Sequence, residues 1–317
     1  MTNKDKYRLL CKNELSIPIF SKDWWLDSVA GDAWDVVLVE KGDQILASMP
    51  YTMRQRYGLN VISQPALTQT LGPWLRRSTA KYARRLSQEK DLLQKLFEQL
   101  PDFAHFQQNW HCTRTNWLPL YWLGYEQTTR YTYVVENVSN LENAWQEIDS
   151  SYRNKIRKAE KLVTVKVDMD IKEFYLINEM TFLRQGINIP YSQSFLEKHH
   201  KVLQDNNASK IFYAVDEQEN IHSALYLTWD STTSYVHLVG ENPELRNSGA
   251  GILLIWEAIK YTAEQLNLDY FDFEGSMIES VERVRRDFGA VQTPYFSISK
   301  TNSKLIKTYR FLQEIRK

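Results

Sequence analysis

Arg246-Asn247-Ser248-Gly249-Ala250-Gly251 is the stretch on which the reading of this chain turns. Before it, Ser234 to Val239 predicts a strand; after it, Ile252 to Leu266 predicts an amphipathic helix. The first amides of a helix have no intrahelical carbonyl partner, and the aligned peptide dipoles add partial positive charge there. A strand, a glycine-bearing turn and a helix start therefore make a cradle for phosphate. Gly249 and Gly251 are read as positions of positive φ or of close ligand approach, and Arg246 as a fixed cation. Tyr270 to Glu274 predicts the next strand, and Glu282-Arg283-Val284-Arg285-Arg286-Asp287-Phe288-Gly289 follows it.

Upstream, the pattern alternates between the two periodicities. Tyr7 to Lys12 reads as a strand and Lys22 to Ala30 as a short helix. Trp34 to Glu40 and Gln44 to Arg54 read as strands around the turn Lys41-Gly42-Asp43. Asp91 to Leu100 predicts a helix and Asp102 to Gln107 a strand. The order then repeats: a strand at Tyr131 to Glu136, one helix over Leu141 to Leu162, and a strand at Val163 to Val167. Helices follow at Ile171 to Arg184 and Ser192 to Gln204, then paired strands at Ile211 to Glu217 and His222 to Asp230. Val39 to Asp43 parallels Val215 to Glu219 between paired strands. Glu98-Gln99-Leu100 parallels Glu264-Gln265-Leu266 at a helix-to-strand junction. The chain ends with a strand at Val291 to Lys300 and a basic helix at Lys304 to Ile315.

The run from Gly240 to Gly289 resembles the Gcn5-related N-acetyltransferase (GNAT) superfamily, and within it the tandem-GNAT branch of Fem-type peptidoglycan-bridge factors and their acetyltransferase-like bacterial relatives. In that superfamily the pattern Gln/Arg-x-x-Gly-x-Gly/Ala holds the pyrophosphate of acyl-coenzyme A; here it falls on Arg246, Gly249 and Gly251. The Fem-type basic helix resembles Arg153-Asn154-Lys155-Ile156-Arg157, and the later acceptor segment resembles Val284 to Gly289. The resemblance implies an α/β fold of two tandem GNAT-like lobes, each a mixed, mostly antiparallel sheet flanked by helices. Residues 1–130 would form a lobe with a degenerate donor site, since Leu71-Gly72-Pro73 stands where the glycine pattern should be. Residues 131–317 would form the lobe with the donor site, its last helix packing on the first lobe.

The implied chemistry is direct attack by an amine on a thioester, which requires orientation, a proton acceptor and carbonyl polarisation. Glu274, His237 and Glu241 are the candidate bases, with Glu274 and His237 preferred. Arg246, Asn247, Ser248, Gly249, Ala250 and Gly251 are assigned to the donor, acyl-coenzyme A as a cosubstrate, with no tightly bound cofactor. Arg153, Lys155, Arg157, Arg285 and Arg286 are assigned to an anionic small-molecule or envelope-precursor acceptor. On the helix around Arg153, the residues Trp145, Ile148, Tyr152, Ile156 and Ala159 fall on one apolar stripe with Arg153 and Lys155 at its margins. Two further readings stay open: a Fem-like aminoacyl-tRNA-dependent aminoacyltransferase acting on a peptidoglycan precursor, and a non-catalytic GNAT-like binding protein.

Composition limits the remainder. In 317 residues, Lys+Arg and Asp+Glu are equal at 39 each, so no overall field draws the chain to DNA, and tRNA is the less favoured donor. No coiled-coil arm is legible. Cys11 and Cys112 have no metal-ligand spacing, and adjacent His199 and His200 point about 100° apart on a helix, so no metal is expected. A polar start and the lack of an apolar run of about 20 residues predict a cytoplasmic protein without a membrane span.

Overall fold

The structure is a computed structural model, and it describes residues 1–275 and 277–308. In chain order the elements are α1 (Asn3–Asn13), α2 (Asp23–Ala30), β1 (Trp34–Lys41), β2 (Gln44–Arg56), β3 (Leu59–Ile62), β4 (Trp74–Leu75), α3 (Tyr82–Glu98), β5 (His105–Asn109) and α4 (Leu118–Trp122). There follow β6 (Glu126–Glu136), α5 (Leu141–Glu147), α6 (Ser150–Ala159), β7 (Thr164–Val167), α7 (Ile171–Arg184), α8 (Gln193–Asp205), β8 (Ser209–Val215), β9 (Ile221–Trp229), β10 (Thr233–Glu241), α9 (Ala250–Glu264), β11 (Tyr270–Asp272), α10 (Glu279–Asp287) and β12 (Val291–Thr301). The fold is mixed α/β, with mostly antiparallel strands flanked by helices.

The chain divides into two compact units, Met1–Arg130 with Pro294–Lys317, and Tyr131–Thr293. In the first, strands run in the order β1-β2-β3-β5-β12, with β4 beside β2. The end of the chain joins this unit because Ser297 to Thr301 pair antiparallel with Asn109 to His105. One sheet face packs Leu93, Leu96 and Phe97 of α3 against Phe106, Trp110 and Ile298. The other packs Tyr7, Leu10 and Cys11 of α1 against Trp34, Val36 and Leu38. Of the basic terminal helix, residues 304–308 are helical; the rest, and its packing, lie outside the described residues.

In the second unit the order is β6-β11-β10-β9-β8-β7, antiparallel except for β10 and β11. Leu225, Leu227, Phe212 and Ala214 face α9, whose Leu253, Leu254, Ala258 and Ile259 complete the core with Ile156 and Ala159 of α6. Tyr226 points the other way and meets Phe174 of α7 and His200 of α8. Both units thus run a hairpin, a third strand, a helix and a parallel fourth strand, as the two short internal matches suggested.

Two expectations of local structure are corrected. Tyr7 to Lys12 lies in a helix: Tyr7, Leu10 and Cys11 are buried at helical spacing, and Thr2 and Asp5 form a reciprocal capping box. Leu141 to Leu162 is two helices, because Ile148 is extended (ψ 134°) and the Asp149 side chain accepts from Ser151 N to start α6. The apolar stripe survives the break, with Ile148, Tyr152, Ile156 and Ala159 all in the core.

Candidate functional site

The parallel ladder between β10 and β11 covers only three pairs, Thr233 with Tyr270, Ser234 with Phe271 and Tyr235 with Asp272. β10 then continues to Glu241 while the other strand ends, and the two separate. A cleft of about 900 Å³ lies beside this separation, lined by Val236, Val239, Gly240 and Glu241 from β10, by Phe273 beyond β11, and by residues 246–249, Gly251, Ile252 and Ile255 at the start of α9. Open parallel strands next to a helix N-terminus are where α/β folds place ligands.

Local geometry builds the glycine turn. Arg246–Ser248 form a single 3₁₀ turn, and Gly249 follows in the left-handed region (φ 77°, ψ 13°) as the N-cap of α9. An L-residue there costs roughly 1–2 kcal/mol, which is why glycine stands at that step. Ser248 Oγ accepts from Ala250 N at 3.3 Å. Gly251 has no positive φ; a Cβ there would lie 3.3 Å from Ser223 Oγ and 3.5 Å from Glu241 Oε1, so its small size keeps the cleft floor open. Arg246 is not a solitary cation: its Nε is 3.5 Å from Glu241 Oε2, a carboxylate that Arg184 also approaches at 3.7 Å. Burial pushes the Glu241 carboxyl up from its ordinary value, and the two arginines oppose that shift.

The basic helix α6 crosses the turn. A Cβ on Gly249 would sit 3.5 Å from Lys155 O and 3.8 Å from both Lys155 Cβ and Ala159 Cβ. Lys155 and Lys158 line the cleft, and Lys155 Nζ lies 4.6 Å from the Tyr152 ring centroid. Arg153 instead donates to Gln146 Oε1 (2.7 Å), and Arg157 lies over Trp145 and donates to Asn154 Oδ1 (3.2 Å); neither lines the cleft. Arg285 lines it but is already engaged, donating through Nε and Nη2 to Phe273 O (3.3 and 2.9 Å) and through Nη1 to Val281 O (3.3 Å). Burial lowers its guanidinium to about 10. Arg286 is outside the cleft, on the exposed face of α10 near Glu282 and Asp287. An apolar stripe does not make this division, because it fixes direction about one helix and not what crosses above it.

His237 and Glu274, the two preferred candidate bases, do not themselves line the cleft. Each follows a residue that does line it, His237 after Val236 and Glu274 after Phe273. Their side chains meet, His237 Nδ1 to Glu274 Oε1 at 2.8 Å, where main-chain pairing has stopped. The reach of His237 follows from a β-bulge: Val236 opposes Leu227 and Leu238 opposes Tyr226, leaving His237 as the extra residue. Its ring faces His199 and Tyr226, with centroids 5.8 and 6.0 Å away. Glu274 adopts φ 55°, strained for a non-glycine residue. Burial pushes its carboxyl up, against the pull of His237 and Arg285. Behind it Asp272 is buried, accepts from Thr132 Oγ1 and from Glu274 N (2.7 Å), and is raised to about 7 chiefly by burial.

Lys158, Arg184, Thr181 and Ser223 line the cleft without having been singled out as site residues from the sequence. Lys158 belongs to the basic run already noted. Arg184, Thr181 and Ser223 carry no sequence signal, since each faces the cleft only because α7 and β9 pack beside β10.

The equivalent gap in the first unit is closed. After β3 and β5 separate, Leu71 rejoins as a parallel bridge to Trp110 and donates its amide to Asn109 O (2.7 Å). A Cβ on Gly72 would meet Trp110 Cδ1 at 2.5 Å, so the indole occupies that place.

Residues 148–279 match the model of the Acetyltransferase (GNAT) domain family. No curated protein matches the chain. Among solved structures, FemX shares 12% identity with a TM-score of 0.66, covering 93% of this chain and 96% of that one. The C-terminal domain of an Agrobacterium fabrum protein described as a putative lysylphosphatidylglycerol synthetase shares 9% (TM-score 0.58; 98% and 95% covered). L-PGS from Bacillus licheniformis shares 12% (TM-score 0.55; 92% and 90% covered). At these identities the structural likeness is one of fold. The fold is thus GNAT-like, with the matched domain lying in the second unit.

Proposed function

We propose, from the GNAT domain over residues 148–279 and the Fem-type fold, that this chain is an N-acyltransferase. It would transfer an acyl group from acyl-coenzyme A to the amine of an anionic small molecule or cell-envelope precursor. The observation that carries the reading is the continuous cleft from the Gly249 helix start to the separation of β10 and β11. A phosphate at one end and a thioester at the other is the form of donor such a cleft fits.

The amides at the start of α9 and Arg246 hold the donor phosphates in this reading. Lys155 and Lys158 join them from α6, so Lys155 serves the donor rather than the acceptor. The acceptor amine attacks the thioester carbon; the C–N bond forms, the C–S bond breaks, and the thiolate leaves. The His237–Glu274 pair, bridging the two strands one residue beyond the lining residues Val236 and Phe273, takes the proton lost by nitrogen. Arg285 holds Phe273 and so fixes the Glu274 end of the pair, with its residual charge facing the acceptor. The first unit carries no donor, because Leu71 and Trp110 fill the place where one would lie. Titration calorimetry with acetyl-coenzyme A tests the reading: binding is expected in the wild type and not in Gly249→Trp, whose indole would occupy the helix start. Equal binding by both proteins removes the donor site.

A further inference from the structure

A second cavity lies wholly within the first unit, at the carboxyl end of the parallel strand β5. It holds about 70 Å³ and is lined by Leu75, Glu89, Leu93, Trp110 and residues 113–116. That is several times the ~10–15 Å³ that one water requires, and it suits a single small anion. Its polar wall carries the Arg114 guanidinium and the Trp110 indole together with the Glu89 carboxylate. Arg114 is largely withdrawn from solvent, and its burial lowers the guanidinium from its ordinary value. Among the described residues no carboxylate lies within ion-pair distance of Arg114 and no acceptor receives its guanidinium. Glu89, the acid on the wall, instead takes Asn116 Nδ2 on its Oε2 at 3.2 Å. Trp110 is fully buried, and its indole Nε1 has no acceptor among the described residues. A half-buried guanidinium and a buried indole N–H without acceptors both carry a cost, and one anion answers for the guanidinium first.

We propose that this pocket is a binding site for a small phosphate, free or as the head of a monoester, held by the Arg114 fork. Thr115 adds a hydroxyl donor on the wall, while the Thr113 hydroxyl is engaged with His111 Nδ1 at 2.8 Å. Glu89 has a second carboxylate oxygen with which to accept the proton of a hydrogen phosphate, a contact that fully deprotonated sulfate cannot supply. The site is independent of the cleft in the GNAT domain and of the function proposed for it.

The test is thermal denaturation of the full chain in inorganic phosphate, sulfate or chloride at matched ionic strength. Phosphate is expected to raise the melting temperature progressively with concentration, and sulfate to raise it less. Arg114→Gln should abolish the phosphate response while leaving stability in chloride equal or higher, because it removes a half-buried charge that no carboxylate holds at ion-pair distance. Arg114→Lys should keep part of the response. Glycerol phosphate distinguishes the sources: a larger shift than with inorganic phosphate assigns a monoester, and a smaller one assigns the free anion. A phosphate response that persists in Arg114→Gln overturns the site. So does a loss of stability in chloride in that variant, which would make Arg114 a structural partner of Glu89. An equal sulfate response overturns the role of Glu89.

Discussion

Replacing Asp272 by Asn should remove a pH dependence that the fold itself creates. Asp272 is buried at the end of β11, where burial, helped by neighbouring Glu274, raises its carboxyl from 3.8 to about 7 against the contributions of Thr132, the Glu274 amide and Arg285. A folded-state value above the unfolded one means that the folded protein prefers the protonated acid. The stability contributed by that preference is complete below about pH 4 and is lost as pH rises through about 7. Moving the carboxyl from 3.8 to about 7 corresponds to about 4 kcal/mol. The introduced carboxamide would imitate the neutral acid, because its carbonyl can still accept from Thr132 Oγ1 and Glu274 N. Denaturant titrations of wild type and Asp272→Asn at about pH 4 and about pH 8 are compared as a difference, which cancels carboxylates of opposite sign. Asp216 is one of these, held near 2 by Asn220. The variant is expected to be similar to wild type at the lower pH and more stable by up to about 4 kcal/mol at the higher. Parallel pH profiles would show that Asp272 is solvated or paired well enough to titrate normally, and the account of this buried acid would fail.

Gly240→Ala should destabilise by about 1–3 kcal/mol or more in thermal denaturation, since its Cβ would lie 2.6 Å from Ile177 Cγ2 and 2.8 Å from backbone atoms of α7. An unchanged melting temperature would mean that α7 does not rest on β10. Gly249→Ala meets only ordinary contacts at 3.5–3.8 Å, so it should cost the left-handed strain alone, about 1–2 kcal/mol, with Gly249→Asn recovering part of it. His237→Gln and Glu274→Gln should each lower turnover by roughly 10²–10⁴-fold while leaving acetyl-coenzyme A affinity intact in calorimetry. Loss of affinity with unaltered turnover would put the pair on the donor instead. Arg285→Met strips donors from the Phe273 carbonyl and should cost about 1–3 kcal/mol, visible as a shifted denaturation midpoint.

Much of the second unit was legible because its signals are local. The helix over Ile171 to Arg184 has the bounds its periodicity predicts, and the glycine turn falls between strand and helix. The errors had local causes too. The α1 capping box was missed in a short apolar segment, and a single Asp cap split a helix whose stripe ran on through the break. The candidate site was legible only in part. Glu274 and His237 are each candidate bases by their places on the strands, but their contact, and the bulge that turns His237 toward Glu274, have no signature in the sequence.

Residue order by itself determined the alternation of elements, the glycine turn and the basic character of α6, since each depends on neighbours a few positions away. Tertiary structure decided which charges face the cleft. Lys155 and Arg285 do, while Arg153, Arg157 and Arg286 turn to surface partners. It also decided that the gap between parallel strands stays open beside Gly249 and is closed by Leu71 and Trp110 in the first unit. The physical reason is the same for both. A helix or strand fixes only the direction of a side chain, and whether that direction ends in solvent, in a partner or in a cavity depends on what distant segments pack against it.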